Sequence, residues 1–231
     1  MKGLAFDILG TVGHFRRPDT TATQMTYPFI TPTAAKRLVG AILGIEDFVT
    51  TDRIGIELLR PVRTVAQQMS MLGKDSGSTF NRPTTIELLV NPGYRIYYTG
   101  EEYTEQLLSF LIQEKSVYTT YLGVAYALTK PVLHRIYSEV SYLEPEEKAI
   151  EPRTIVPTSM IKEIVLKEDF YYCRAGGFLY EYKGNRTFEK SVDFLYEKDG
   201  KPISFVPNAN FTDSSLDLKL AYFEEDLVCL V

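Results

Sequence analysis

The chain is poor in the residue types that most enzymes and most small secreted folds rely on. Its 231 residues include only two cysteines and two histidines. The cysteines, Cys173 and Cys229, lie far apart and form no Cys-x-x-Cys pair, so their spacing offers no zinc site, and a reducing cytosol would keep both as thiols. No apolar run approaches the roughly 18 residues of a membrane span, and the N-terminus has no basic-apolar-small order of a secretory leader. We therefore expect a cytoplasmic protein without membrane contact. Also missing are a phosphate-binding Walker loop, a Gly-x-Ser-x-Gly elbow and a His-Glu-x-x-His helix. Aspartate and glutamate are plentiful, but no cluster has the spacing of a divalent-metal site. No cofactor or metal is expected.

With 45% hydrophobic and 24% charged residues, the composition is that of an ordinary globular protein able to bury a full core. A net charge of −5 argues at first against nucleic acid. The average conceals an asymmetry: residues 1–99 carry 11 Lys and Arg against 8 Asp and Glu, and residues 100–231 carry 14 against 22. Such polarity suits an N-terminal half that meets a polyanion and a C-terminal half that faces solvent or basic partners.

The first 44 residues carry the most information. Leu4, Phe6 and Ile8 alternate with Ala5 and Asp7, the pattern of a half-buried strand, ended by Gly10 and Gly13. His14-Phe-Arg16-Arg17-Pro18 then puts two guanidinium groups beside an aromatic ring, a pairing suited to phosphate contact and base stacking. Thr31 reads as an N-cap and Pro32 as the first residue of a helix over 32–43 that stops at Gly44. The free amides of its first turn are an anion site in their own right.

Beyond it, residues 52–72 hold a strand carrying Arg53, Arg60 and Arg63, followed by a flexible tip at Gly73–Ser78 and a β-prone return from Asn81 through Arg82. Asn91-Pro-Gly turns into a strand at Tyr94–Thr99. Glu101–Lys115 is a second amphipathic helix, acidic at its start. A tyrosine-flanked glycine, Gly123 between Tyr121 and Tyr126, precedes a strand at Val132–Tyr142, which gives a β-α-β-β-α-β order. Glu144 to about residue 152 is acidic and proline-bounded, a linker, and the remainder is rich in Tyr, Phe and Val with turns at Lys183-Gly-Asn and Lys198-Asp-Gly.

The run Gly10-x-x-Gly-His-Phe-Arg-Arg-Pro, then Tyr27-Pro-Phe-x-x-Pro-Thr33 and the helix ending Gly40-Ala-Ile-Leu-Gly44, resembles the fifth CRISPR-associated family, with weaker echoes at Arg82–Thr85 and Tyr121–Ala127. Gly13 stands where many relatives carry alanine. Members of that family are repeat-associated (RAMP) subunits that hold the 5′ end of the guide RNA in type I Cascade complexes, and the pattern is most like the I-B branch.

The resemblance implies an α+β fold: a ferredoxin-like (RRM-like, RAMP) RNA-binding domain over 1–143 with a thumb hairpin at about 64–82, a linker at 144–152, and a small antiparallel β-subdomain over 153–231. It also implies a non-catalytic subunit that grips the 5′ handle of the crRNA and caps the backbone filament in antiviral defence. Its partners would be the Cascade backbone and large subunits, and target DNA near the protospacer-adjacent motif. Arg16, Arg17, Lys36 and Arg37 are the expected phosphate contacts, with Tyr121 and Gly123 near the handle and Arg63 and Arg82 at the two bases of the thumb.

Two other functions fit parts of the sequence. One branch of the same family cuts the repeat without metal, and His14, or Tyr121, Lys130 and His134 together, supply residue types for such cleavage, though not in a recognisable motif. A ferredoxin-like interaction domain without an RNA role is the other.

Overall fold

The computed structural model describes residues 1–20, 22–75, 77–211 and 216–231. Its centre is a four-stranded antiparallel sheet built from β1 (Gly3–Leu9), β3 (Arg53–Leu58), β6 (Gly93–Thr99) and β7 (Val132–Tyr137) in the order β3-β6-β1-β7. The remaining early strands are β2 (Val12–Gly13), β4 (Thr64–Asp75) and β5 (Ser78–Val90). Alternation along β1 separates two faces, as the period of two requires. Leu4, Phe6 and Ile8 join Ile54, Ile56, Ile96 and Tyr98 beneath the helices α1 (Pro32–Leu43) and α2 (Thr104–Ile112). Ala5, Tyr97 and Tyr137 point the other way.

The sequence expectation for α1 is met to the residue. Thr31 Oγ1 accepts from the Ala34 amide at 3.1 Å, Pro32 occupies the first turn, and Gly44 closes the helix at φ 79° with its amide bonded to Gly40. The other helix is shorter than expected, because Glu114 takes a positive φ of 53° and Gln113 already caps the helix.

The opposite face of the central sheet is covered by β8 (Val140–Leu143), β14 (Lys219–Phe223) and β15 (Asp226–Leu230), in the order β15-β14-β8. Val140, Ala221, Phe223, Val228 and Leu230 pack there on Tyr97 and Tyr137. The strand expected over Val132–Tyr142 is therefore two strands. The chain breaks at Ser138, whose amide donates to Glu224 at 3.1 Å, and β8 leaves for the second sheet.

Between the two sheets lies a polar network. Arg95 forks onto Asp7 at 2.8 and 3.0 Å, Tyr97 donates to Glu57 at 3.0 Å, Tyr137 donates to Asp226 at 2.8 Å, and Arg153 closes on the other Asp226 oxygen. Every member named has a partner, as polar groups out of water require.

The C-terminal part continues with β9 (Val156–Pro157), β10 (Ile161–Ile164), β11 (Tyr172–Tyr182), β12 (Phe188–Glu197) and β13 (Phe205–Pro207). A hairpin of β11 and β12, with β9 at its side, packs directly on α1. The partition into 1–143 and 153–231 does not divide the interior: Phe178, Phe194, Leu220 and Val231 share one hydrophobic cluster with Leu4, Phe29 and Ile42. Val231 and Ile54 exchange backbone hydrogen bonds of 2.9 and 3.0 Å across the same division, and Ile150 in the expected linker bonds to Phe205. Phe29 stacks on Phe178 at 4.9 Å and meets Phe194 and Tyr196 edge-on, while Tyr27 donates its hydroxyl to the Gly177 carbonyl at 2.6 Å.

The excursion expected at 64–82 is a longer hairpin of β4 and β5, reaching Val90, where Val12 and Gly13 pair with it through β2. Its base is held by buried Ile86, Leu88 and Leu89, and its outer part exposes Met71, Leu72 and Phe80. The tip expected at 73–78 is strand to Asp75 and again from Ser78, with Ser76 outside the described residues. Arg82 pairs with Met71, four register steps from the last pair at the tip, so it sits on the outer half of the hairpin and not at a base; Arg63 does precede the base. No described helix is long and apolar enough to cross a membrane.

Asp52 is a buried keystone of this arrangement, accepting from the Tyr98 hydroxyl at 2.8 Å and from the amides of Glu102 and Tyr103 at 3.1 and 2.8 Å at the entry to α2. Asp52→Ala leaves three donors without a partner and should cost about 3 kcal/mol, read as a Tm lower by roughly 6–12 °C. Tyr98→Phe removes one bond and should cost about 1 kcal/mol in the same melt; equal losses for the two variants would contradict the shared-acceptor role.

Candidate nucleic-acid interface

The basic loop after β1 is tied to two other segments. The amide of His14 donates to the Leu122 carbonyl at 3.0 Å, which docks the loop on the segment around Gly123. On its other side, the Gln24 amide donates to the Thr85 carbonyl and the Gln24 carbonyl accepts from the Glu87 amide, both at 2.9 Å, and the Thr26 amide donates to the Glu87 carboxylate at 3.1 Å, which docks it on the base of the hairpin. Gly123 lies at the junction with φ +83°, and a Cβ there would stand 1.9 Å from the His14 carbonyl oxygen. Only glycine satisfies both the left-handed backbone and that close approach. Tyr126 extends the seam, its hydroxyl 3.9 Å from Met69 on β4.

The arginines of the loop differ. Arg16 is exposed, and its backbone bridges to Thr26. Arg17 is forked onto Asp19 at 3.1 and 2.6 Å, and this pairing raises its pKa. A phosphate would compete with that carboxylate for the fork. His14, expected within phosphate reach, is instead buried, with Nδ1 2.7 Å from the Glu87 carbonyl. Its ring is a core element because β2 draws the chain inward at Val12–Gly13.

Beside the loop, a cleft of about 590 Å³ runs between α1, the segment 119–123 and the β11–β12 hairpin. Lys36, Arg37, Tyr121 and Gly123 line it, so the structure brings four of the expected residues together. Arg63 and Arg82 are exposed on the hairpin and do not line the cleft. Arg37 donates to the Glu46 carbonyl at 3.0 Å, approaches Asp47 at 3.7 Å and lies 4.5 Å over the Tyr182 ring. The first turn of α1 lines the cleft too, but Pro32 has no amide hydrogen and Thr31 already takes the amides of Ala34 and Ala35, so the expected anion site at this helix start is largely spent.

Lys36 is half-buried and makes no hydrogen bond or ion pair among the described residues. Burial first, then the charge of Arg53, lowers its pKa from 10.5 to about 8. Arg53 itself is held by Asp217.

The sequence reading missed Arg53, Tyr182, Phe188 and Lys190 as cleft residues. The turn at Lys183-Gly-Asn pointed to the β11–β12 hairpin, but nothing local says that the hairpin lies on α1. Nor does the charge asymmetry map onto two faces, since Glu181, Lys183, Lys190 and Asp217 from the acidic half form one wall. Among the candidates for cleavage chemistry, Lys130 is engaged by Glu114, and His134 is exposed on the edge strand β7 with its pKa lowered by desolvation and by Arg95.

No protein-family model matches the sequence, and no curated protein matches it. Solved structures do share the fold. A CRISPR protein from Archaeoglobus fulgidus superposes with a TM-score of 0.58 at 12% identity, over 99% of this chain and 98% of that one. A chain described as "CRISPR RNA-guided surveillance complex" gives 0.55 at 12% identity, over 89% and 91%. The fold, α+β and mostly antiparallel with two helices among the described residues, is thus one found in CRISPR proteins along nearly its whole length.

Gly123→Ala should destabilise the protein by more than about 2 kcal/mol, from strain and collision together, with the loss visible in a denaturant melt; a variant as stable as the parent would show the seam to be adjustable. The Lys36 pKa gives a second expectation. Because the folded value lies below the unfolded one, the unfolded chain holds more protons between pH 8 and 10.5, and the fold gains stability as pH rises through that window. Lys36→Met should remove this gain and stabilise the protein below pH 8, as read from Tm against pH.

Proposed function

We propose that this protein is a non-catalytic crRNA-binding subunit of a type I CRISPR surveillance complex, closest to the I-B branch and acting in the cytoplasm. It would grip the 5′ repeat-derived handle and cap the backbone filament. The observation that carries the reading is the near full-length fold match to two CRISPR proteins, one of them described as an RNA-guided surveillance complex.

Connectivity supports it. The path β1-α1-β3-β6-α2-β7 with sheet order β3-β6-β1-β7 agrees with the expected ferredoxin-like (RRM-like, RAMP) domain. In this chain the sheet face away from the helices, on which RRM modules stack bases, is covered by β8, β14 and β15, so RNA would meet the rim. That rim is the seam of Arg16, Arg17, Gly123 and the hairpin, beside the cleft of Lys36, Arg37 and Tyr121. The exposed Arg63 and Arg82 give the hairpin positive charge along its length, suited to a backbone passing across it. Backbone and large subunits, and DNA near the protospacer-adjacent motif, are the partners this role calls for.

A non-catalytic role is in keeping with the burial of His14 against Glu87. The test is incubation of the purified protein with labelled CRISPR repeat RNA in EDTA, with cleavage read on a gel and binding by mobility shift. Binding without cleavage is expected, falling steeply with salt. Arg16→Ala should weaken it and reduce the salt slope by about one. Asp19→Ala, which frees the Arg17 fork, should strengthen it. Cleavage lost in His134→Ala would make the protein the processing nuclease, and salt-insensitive or absent RNA binding would favour an interaction domain.

A further inference from the structure

The cleft behind the basic loop has a chemistry of its own. Most cations on its walls already have anionic partners: Arg37 lies by Asp47, Arg53 holds Asp217, and Lys183 and Lys190 converge on Glu181. Lys36 stands apart, half-buried in α1 and without a described partner, with Arg53 adding a second positive charge nearby. A cation so placed has given up water, and Asp52, Glu181 and Glu102 act on it only from beyond ion-pair distance, so an incoming anion in direct contact would remove part of that cost.

Aromatic rings stand among the charged residues of the opposite walls. Tyr121 is exposed at the mouth, while Phe188 lies half-buried against Tyr182 at 5.2 Å. The volume of about 590 Å³ falls within the roughly 300–1,000 Å³ of small-molecule sites. An inorganic anion on Lys36 would leave most of it empty, and a carboxylate ligand would make no use of flat rings. Phosphate and a planar ring together match both the cation and the aromatic rings.

We infer that the cleft takes one nucleotide unit, its phosphate on Lys36 with Arg53 behind it and its base against Tyr121 and Phe188. The unit is either one splayed nucleotide of a bound RNA, which rests on the function proposed above, or a free nucleotide, which does not.

The experiment uses the full chain, with labelled repeat RNA carrying a single photoactivatable thiouridine at successive positions, and with AMP and UMP by calorimetry. Lys36→Met should lower RNA affinity about tenfold and the salt slope by about one. Phe188→Leu should lower affinity severalfold with the slope unchanged, because stacking releases no counterions. One RNA position should crosslink to Tyr121 or Phe188. Thermal melts establish that both variants fold.

If RNA binds equally to both variants and crosslinks only to residues 14–17, the inference falls and the RNA function stands. If RNA does not bind but AMP or UMP does, and Lys36→Met abolishes it, the cleft inference stands with the free nucleotide as ligand and the RNA function falls. Failure of the unmodified protein to bind either overturns the inference.

Discussion

The contact on which the architecture turns is the stacking of Phe29 between the hairpin aromatics. The segment Tyr27–Ile30 links the basic loop to α1, and it is clamped by Phe178, Phe194 and Tyr196 from a hairpin about 150 positions later in the chain. Burial of aromatic rings provides the affinity, and the 9° parallel stack on Phe178 fixes the angle. The caps set where α1 begins, and the clamp holds that start, and with it the turn carrying Lys36 and Arg37, against the hairpin. The clamp also brings β11 and β12 against α1, and without that approach the cleft would have one wall.

The covered sheet face helps explain why, among the described residues, fifteen strands are built about a central sheet of four. Tyr97, Tyr137 and Phe223 form a second, separate cluster beneath it, and the bond from Tyr137 on the central sheet to Asp226 on β15, backed by Arg153, helps fix how the two sheets meet. A hydrophobic cluster alone tolerates sliding by a residue or two. A carboxylate bonded on both oxygens, as Asp226 is by Tyr137 and Arg153, does not, because a shift by one residue would leave these polar groups unmatched.

Local signals in the sequence carried local structure faithfully. Thr31, Pro32 and Gly44 define α1 because caps act within four residues, and the alternation in β1 declares its two faces. What was not legible depends on distant partners. Nothing in Val132–Tyr142 says that its second half pairs with β14, nor that the linker segment would bond to β13. His14 looked available because it sits between a glycine and two arginines, whereas its burial is decided by Glu87, 73 positions away. The Arg17–Asp19 pair is the opposite case: two residues apart, it could have been read from the spacing alone.

The β4–β5 hairpin has a mechanical consequence. At about 3.3 Å per residue, twelve paired positions make a hairpin roughly 40 Å long, its base embedded in the body and its outer half beyond it. Its root is no passive hinge, since Glu87 on β5 holds the Thr26 amide, the Gln24 carbonyl and the His14 ring at once. A sideways load on the distal end is therefore delivered as torque to the loop bearing Arg16 and Arg17. Whatever pushes on the arm shifts the two arginines at its foot.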